Sequence, residues 1–167
     1  MIKINFYLVG KVKEPYLKEA FSIYKERISH YANVSINFIE ESPLPLVYKE
    51  AEVNKALLEE GKRIIKAVKS TDYKILLDLH GKSLDSVAFA TKLNDIALKG
   101  YSSLSFIIGS SYGISDEVRA FADYRLSLSE MTFTHPQTLL LILEQVYRAF
   151  KINSNETYHK WYIWISL

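Results

Sequence analysis

Residues 106–135 read FIIGSSYGISDEVRAFADYRLSLSEMTFTH, and this stretch decides the fold. It opens on the end of a nearly continuous apolar run, residues 104–109. A strand without polar alternation is one covered on both faces, the mark of a parallel sheet between helices. Gly109 and Gly113 punctuate a turn. Ser115 followed by Asp116 and Glu117 predicts a helix start, a capping hydroxyl and then acids beside the positive end of the helix dipole. Residues 124–128 form a short strand. Thr134-His135-Pro136-Gln137 has the Thr-x-x-Gln form of a capping box and opens a last helix running to about residue 152.

The alternation continues outward. Residues 2–9, 34–41 and 73–79 are β-rich. Leu17, Phe21, Tyr24, Ile28 and Tyr31 recur at helical spacing behind Pro15, and Phe89, Leu93, Ile96 and Ala97 share a helical face that Gly100 ends. After a turn at 43–45, Val47, Ala51, Asn54, Leu58, Ile65 and Val68 mark another helix, in which Gly61 costs about 1 kcal/mol against alanine. The last helix is apolar nearly all round (residues 139–143, then Val146, Tyr147, Ala149 and Phe150). Its own sheet and a second subunit are expected to bury it, so the protein is expected to be a homodimer. The order βαβαβαβαβα predicts one domain over residues 1–167, an α/β fold with a mainly parallel sheet and helices on both faces. Ligands of such sheets sit beyond the C-terminal strand ends, here near 77–81, 109–113 and 128–133.

Composition narrows the chemistry. The 167 residues include no cysteine, which excludes disulfides, thiolate metal sites and a cysteine nucleophile, and suits a reducing cytoplasm. Lys3 and Lys11 interrupt the N-terminal apolar run and no small-residue cleavage site follows, so it reads as a strand rather than a signal peptide. Residues 139–143, the longest uncharged apolar stretch, are far too few to span a bilayer. His30, His80, His135 and His159 lie scattered, so no metal is expected, and neither dinucleotide nor Walker glycine motifs occur. Net charge is +2, which permits a nucleic-acid partner without demanding one. Lys11, Lys13, Lys18, Lys25 and Arg27, then Lys62, Arg63, Lys66 and Lys69, cluster in the first half among Tyr7, Tyr16, Tyr24 and Tyr31. They suit either a solvated helix face or a nucleic-acid surface.

Gly109-Ser110-Ser111-Tyr112-Gly113 also fits the G-x-S-x-G nucleophile elbow, in its proper place between strand and helix. Asp123 and His135 (or His159) follow in hydrolase order. A serine hydrolase acting through Ser111 is thus one reading. A glycine-containing turn whose backbone approaches a ligand is the other. No HGGG-like segment supplies a second oxyanion donor.

Residues 106–135 together with LEQVYRAFKINSNETYHK (143–160), KINFYLVGKVKEPYLKEAFSIYKERI (3–28) and LLDLHGK (76–82) resemble the bacterial 23S rRNA pseudouridine N3-methyltransferases of the SPOUT superfamily. The resemblance covers residues 1–160. It implies a C-terminal trefoil knot, a homodimer, and S-adenosylmethionine bound within residues 72–160. It places cofactor contacts on Leu77, Gly109 and the loop Leu128, Ser129, Glu130, Met131, Thr132 and Phe133. It puts Tyr158 and His159 at the reacting base, closing over the partner subunit's site, and picks out Glu144 and Arg148, which read as an ion pair. The partner it implies is 23S rRNA or the ribosome.

Four departures from the family pattern stand out. Ser110 replaces a glycine, at a cost of about 1 kcal/mol if the position needs positive φ. Leu139 replaces an arginine and so removes a cation near the site. Glu130 is acidic where a basic or neutral residue is commoner. WYIWISL (161–167) follows Tyr158-His159 and is expected to dock, ordering the cofactor lid. The changes leave open a knotted RNA-binding protein that has lost catalysis.

Overall fold

The computed structural model describes residues 1–160; the expected docking of residues 161–167 lies outside the described residues. The elements alternate as read: β1 (Lys3–Val9), α1 (Pro15–Ser29), β2 (Asn33–Ile39), α2 (Glu50–Ala67), β3 (Tyr73–Ser83), α3 (Ser86–Leu98), β4 (Ser103–Ile108), α4 (Asp116–Phe121), β5 (Tyr124–Ser127) and α5 (His135–Asn153). The five strands form one sheet in the order β2-β1-β4-β3-β5, and every pairing is parallel.

β4 occupies the centre, and residues 104–108 are all buried. Leu104, Phe106 and Ile108 face a core built with α1, α3 and α5, where the Phe106 ring stacks on Phe6 of β1 at 5.1 Å. On the opposite face Ile107 joins Tyr7, Val9, Leu76, Ile64 and Val118 beneath α2 and α4. That face turns polar toward the strand starts. Buried Asp72 accepts hydrogen bonds from Ser105 at 2.6 Å and from Asn5 at 3.2 Å, and Asn5 in turn accepts from Ser35 at 2.8 Å. Satisfied in this way, the carboxylate does not carry the full penalty of a buried charge.

α5 lies between α1 and α3 and buries Leu139, Ile142, Leu143, Val146 and Ala149. Its own chain therefore covers much of the apolar surface that the sequence assigns partly to a partner. Ser115 caps α4 as expected, accepting from the Val118 amide. The capping box at Thr134 does not form, since the Thr134 side chain makes no cap bond. Pro136, at the second helical position, has no amide to be capped, which removes part of the reason for a box.

Gly61 is also reinterpreted. Composition shows only its propensity cost, whereas in the fold a β-carbon there would stand 2.4 Å from Ser115 Oγ and 3.2 Å from Val118 Cγ2. Glycine lets α2 lie directly against the capped start of α4. Gly61→Ala should therefore destabilise the protein by about 1–3 kcal/mol in urea denaturation, although alanine favours helix by about 1 kcal/mol. A gain in stability would show that the two helices separate freely.

Candidate active site

A cleft of about 770 Å³ opens at the C-terminal ends of β3, β4 and β5. Three local devices shape it. The β3–β5 pairing runs from Ile75–Tyr124 to Leu77–Leu126, breaks, and resumes at Lys82–Leu126 and Ser83–Ser127. Residues 78–81 are thus extra, and Asp78, Leu79 and His80 line the cleft. Gly81 permits the detour, because a β-carbon there would meet the Arg125 carbonyl at 2.7 Å. At the end of β4, a β-carbon on Gly109 would stand 2.5 Å from the Gly113 carbonyl oxygen. The Gly113 amide closes that turn by donating to Ser110 O at 3.0 Å. After β5, Ser127 Oγ donates to Ser129 O and the Met131 amide donates to Ser129 Oγ, each at 3.0 Å.

The eight residues expected to contact the cofactor can now be placed. Leu77, Gly109, Leu128, Ser129, Met131, Thr132 and Phe133 line the cleft, and Glu130 does not. Met131 and Phe133 are 75% and 42% exposed, so apolar surface stands open at the cleft. The acidic departure at position 130 therefore lies off the cleft wall. Ser110 is unstrained, because Asn155 is the one non-glycine residue with positive φ among those described. Leu139 is fully buried in the core, so it does not take a cation's place in the cleft, and Thr138 lines the wall instead.

Asp78 is a site residue that sequence reasoning missed. Its buried carboxylate receives Arg119 Nε at 3.2 Å, the His80 amide at 3.1 Å, and lies 3.5 Å from Arg125 Nη1. One carboxylate thereby ties the detour to α4 and β5. The available signal was an acid after the apolar run Ile75-Leu76-Leu77, which names no partner. His135 also lines the cleft, and burial pushes its imidazole below the ordinary histidine range while Glu41 and Glu14 pull it back up.

Tyr158 and His159 follow α5 and fold back against it. The Tyr158 hydroxyl donates to Glu144 at 3.1 Å, its ring packs edge-on against Tyr147 at 4.9 Å, and the Arg148 guanidinium lies over it at 4.8 Å. Burial and then the Glu144 charge raise the Tyr158 phenol well above its usual range. Arg148 pairs with Glu144 one turn back, as read from the sequence, and its Nη1 lies 3.2 Å from His159 Nδ1. A guanidinium can only donate, so Nδ1 accepts. Neither Tyr158 nor His159 lines the cleft of its own chain.

The geometry rejects the serine hydrolase. Ser111 is in the cleft, but Asp123 sits before β5, at the other end of the sheet. There it pairs with Lys74 Nζ at 2.8 Å and accepts the Lys74 amide at 2.8 Å. A carboxylate placed there cannot orient a histidine beside Ser111. Among the described residues no group of three or more His, Cys, Asp or Glu could hold a metal, and no helix is long and apolar enough to cross a membrane.

A parallel α/β sheet with a cleft built from three strand-end loops places the chain among the α/β proteins that hold a ligand beyond the strand ends. The family model described as predicted SPOUT methyltransferase matches residues 2–159, and the chain belongs to that family. Ribosomal RNA large subunit methyltransferase H of Clostridioides difficile (strain 630) is 45% identical over 161 residues, spanning 95% of this chain and 100% of that protein. The protein of the same name from Ruminiclostridium cellulolyticum is 42% identical over 159 residues, again 95% and 100%. Among solved structures, the Legionella pneumophila protein Lpg2936, in complex with bound SAM, matches with a TM-score of 0.48 at 13% identity, covering 89% of this chain and 66% of that one.

Asp78→Asn keeps the side chain's size but removes the charge. It should cost about 1–3 kcal/mol in urea denaturation, less than for a fully buried pair because both guanidiniums are partly solvated. Asp116→Asn, at the fully solvated end of the same network, should change stability by less than about 0.5 kcal/mol. Equal losses from the two variants would refute the anchoring role.

Proposed function

We propose that the cleft binds S-adenosylmethionine and that the protein transfers its methyl group to N3 of a pseudouridine in 23S ribosomal RNA. It acts in the cytoplasm, as a homodimer. The observation that carries this reading is the convergence of three segments, residues 77–80, 108–114 and 126–135, on one cleft in a methyltransferase-family chain. The relatives matched over their whole length bear the large-subunit RNA name.

The residues present fit that cofactor. Leu77, Leu128 and Phe133 offer apolar walls for a planar base, and the turn after β5 offers backbone groups to its edge. Hydroxyls of Ser127, Ser129 and Thr132 are at hand for a ribose. Once bound, the cofactor supplies a methyl group already activated on a sulfonium. What the chain adds is alignment, by fixing the loops through Asp78, Gly109 and Ser129 so that an incoming base nitrogen meets the methyl group at near-attack distance.

Tyr158 and His159 complete the partner subunit's cleft in this reading. Two observations support it: the pair is held firmly on α5 by Glu144, Arg148 and Tyr147, and it is absent from its own cleft wall. The trefoil knot belongs to the same reading, through membership of the family.

Titration with S-adenosylmethionine in a calorimeter should show saturable binding, and Phe133→Ala should weaken it about tenfold, the loss of roughly 1.5 kcal/mol of apolar contact. Ribosomes from a strain lacking this activity should gain one methyl group on 23S rRNA, located by mass spectrometry of nuclease fragments. Light scattering should give twice 19.3 kDa. A protein that binds no S-adenosylmethionine would refute the cofactor reading, and a folded monomer at micromolar concentration would refute the shared site.

A further inference from the structure

We infer that His135, set beside Glu41 at the end of β1, accepts the proton that leaves the target base during methyl transfer. The inference rests on the proposed methylation at a protonated ring nitrogen and adds the residue that removes the proton.

Three elements meet at this point. α5 begins at His135, β1 ends at Val9 before Gly10, and the chain leaving β2 passes through Glu41. A β-carbon built on Gly10 would stand 3.3 Å from both His135 Nε2 and Glu41 Oε2. Imidazole and carboxylate therefore flank the same small space, kept open by a residue without a side chain. Gly10 also has φ +97°, a conformation that other residues adopt only with strain. Gly10 and Glu41 lie just beyond the C-terminal ends of β1 and β2, the edge of a parallel α/β sheet at which ligands bind. His135 itself belongs to the cleft wall.

The chemistry fits the position. N3 of the base carries a hydrogen that must leave when nitrogen takes a methyl group. In the balanced step the N3–H bond breaks and its proton passes to His135 Nε2. The electron pair left on N3 forms the new N–CH₃ bond, and the pair of the broken C–S bond stays on sulfur. A proton acceptor must be unprotonated before the step and tolerate charge after it. Burial keeps His135 neutral, and the charged groups that face it, Glu41 from the β2–α2 connection and Glu14 from the start of α1, favour the imidazolium once formed. His159, which the resemblance puts at the reacting base, already has Nδ1 engaged by Arg148.

The test uses the full-length protein with S-adenosylmethionine and undermethylated ribosomes. His135→Gln should bind S-adenosylmethionine within about twofold of wild type, while single-turnover methylation falls about 10²–10³-fold. Wild-type rates should rise with pH through a midpoint below 6.5, the ordinary histidine value, and the variant's residual rate should lack that limb. Glu41→Gln should move the midpoint lower still, because the carboxylate that favours the imidazolium is gone. Nitrogen-detected NMR of the His135 ring in the free protein should show the same two midpoints without any turnover. An active wild type with an equally fast His135→Gln variant that keeps the acidic limb overturns the inference alone. A wild type that binds S-adenosylmethionine but methylates no ribosomal RNA overturns the substrate reading and the inference with it.

Discussion

Everything in this structure depends on β4 having no face in water. Its side chains from Leu104 to Ile108 are buried, alternately under α1, α3 and α5 and under α2 and α4. A strand covered on both faces needs helices returning on both sides, and parallel neighbours to satisfy its backbone. Neither requirement leaves room for a ligand within the layers. Loops at the strand ends are what remains, and the C-terminal ends of β3, β4 and β5 carry the cleft.

How those loops are held follows from close approach and paired charge. Gly81 and Gly109 allow backbone to touch backbone at distances no side chain would tolerate. Asp78 then gathers Arg119, Arg125 and the His80 amide onto one buried carboxylate. A buried anion stripped of partners is expensive, so the network fixes the geometry of the detour more than it adds stability. Under the proposed function, rigid loops matter because methyl transfer asks mainly for alignment.

The same economy appears where the chain folds back against α5. Glu144 and Arg148 on that helix carry Tyr158 and His159, joined by hydrogen bonds and by the edge-on contact of the Tyr147 and Tyr158 rings. One helix therefore presents two chemical groups: His135 at its start, in the cleft of its own chain, and the Tyr158–His159 pair folded back against its middle. Within the shared-site reading, a single rigid rod would set the spacing of both across a dimer.

The sequence by itself determined what depends on local pattern. The ten elements, the two-sided burial of β4, the Ser115 cap and the three strand ends that form the cleft are written in composition and spacing, because periodicity records which side of an element meets water. Seven of the eight cofactor positions expected from family resemblance fall on the cleft wall. Tertiary structure alone decided the strand order, the four-residue detour in β3, the partners of Asp78, the inward turn of Leu139 and the meeting of His135 with Glu41. It also set aside the Thr134 capping box and the Ser111 triad, both of which the sequence permits. The physical reason is common to these cases. A residue's own neighbourhood fixes whether it is buried, but which distant atom it touches depends on how separate elements pack, and no local periodicity carries that information.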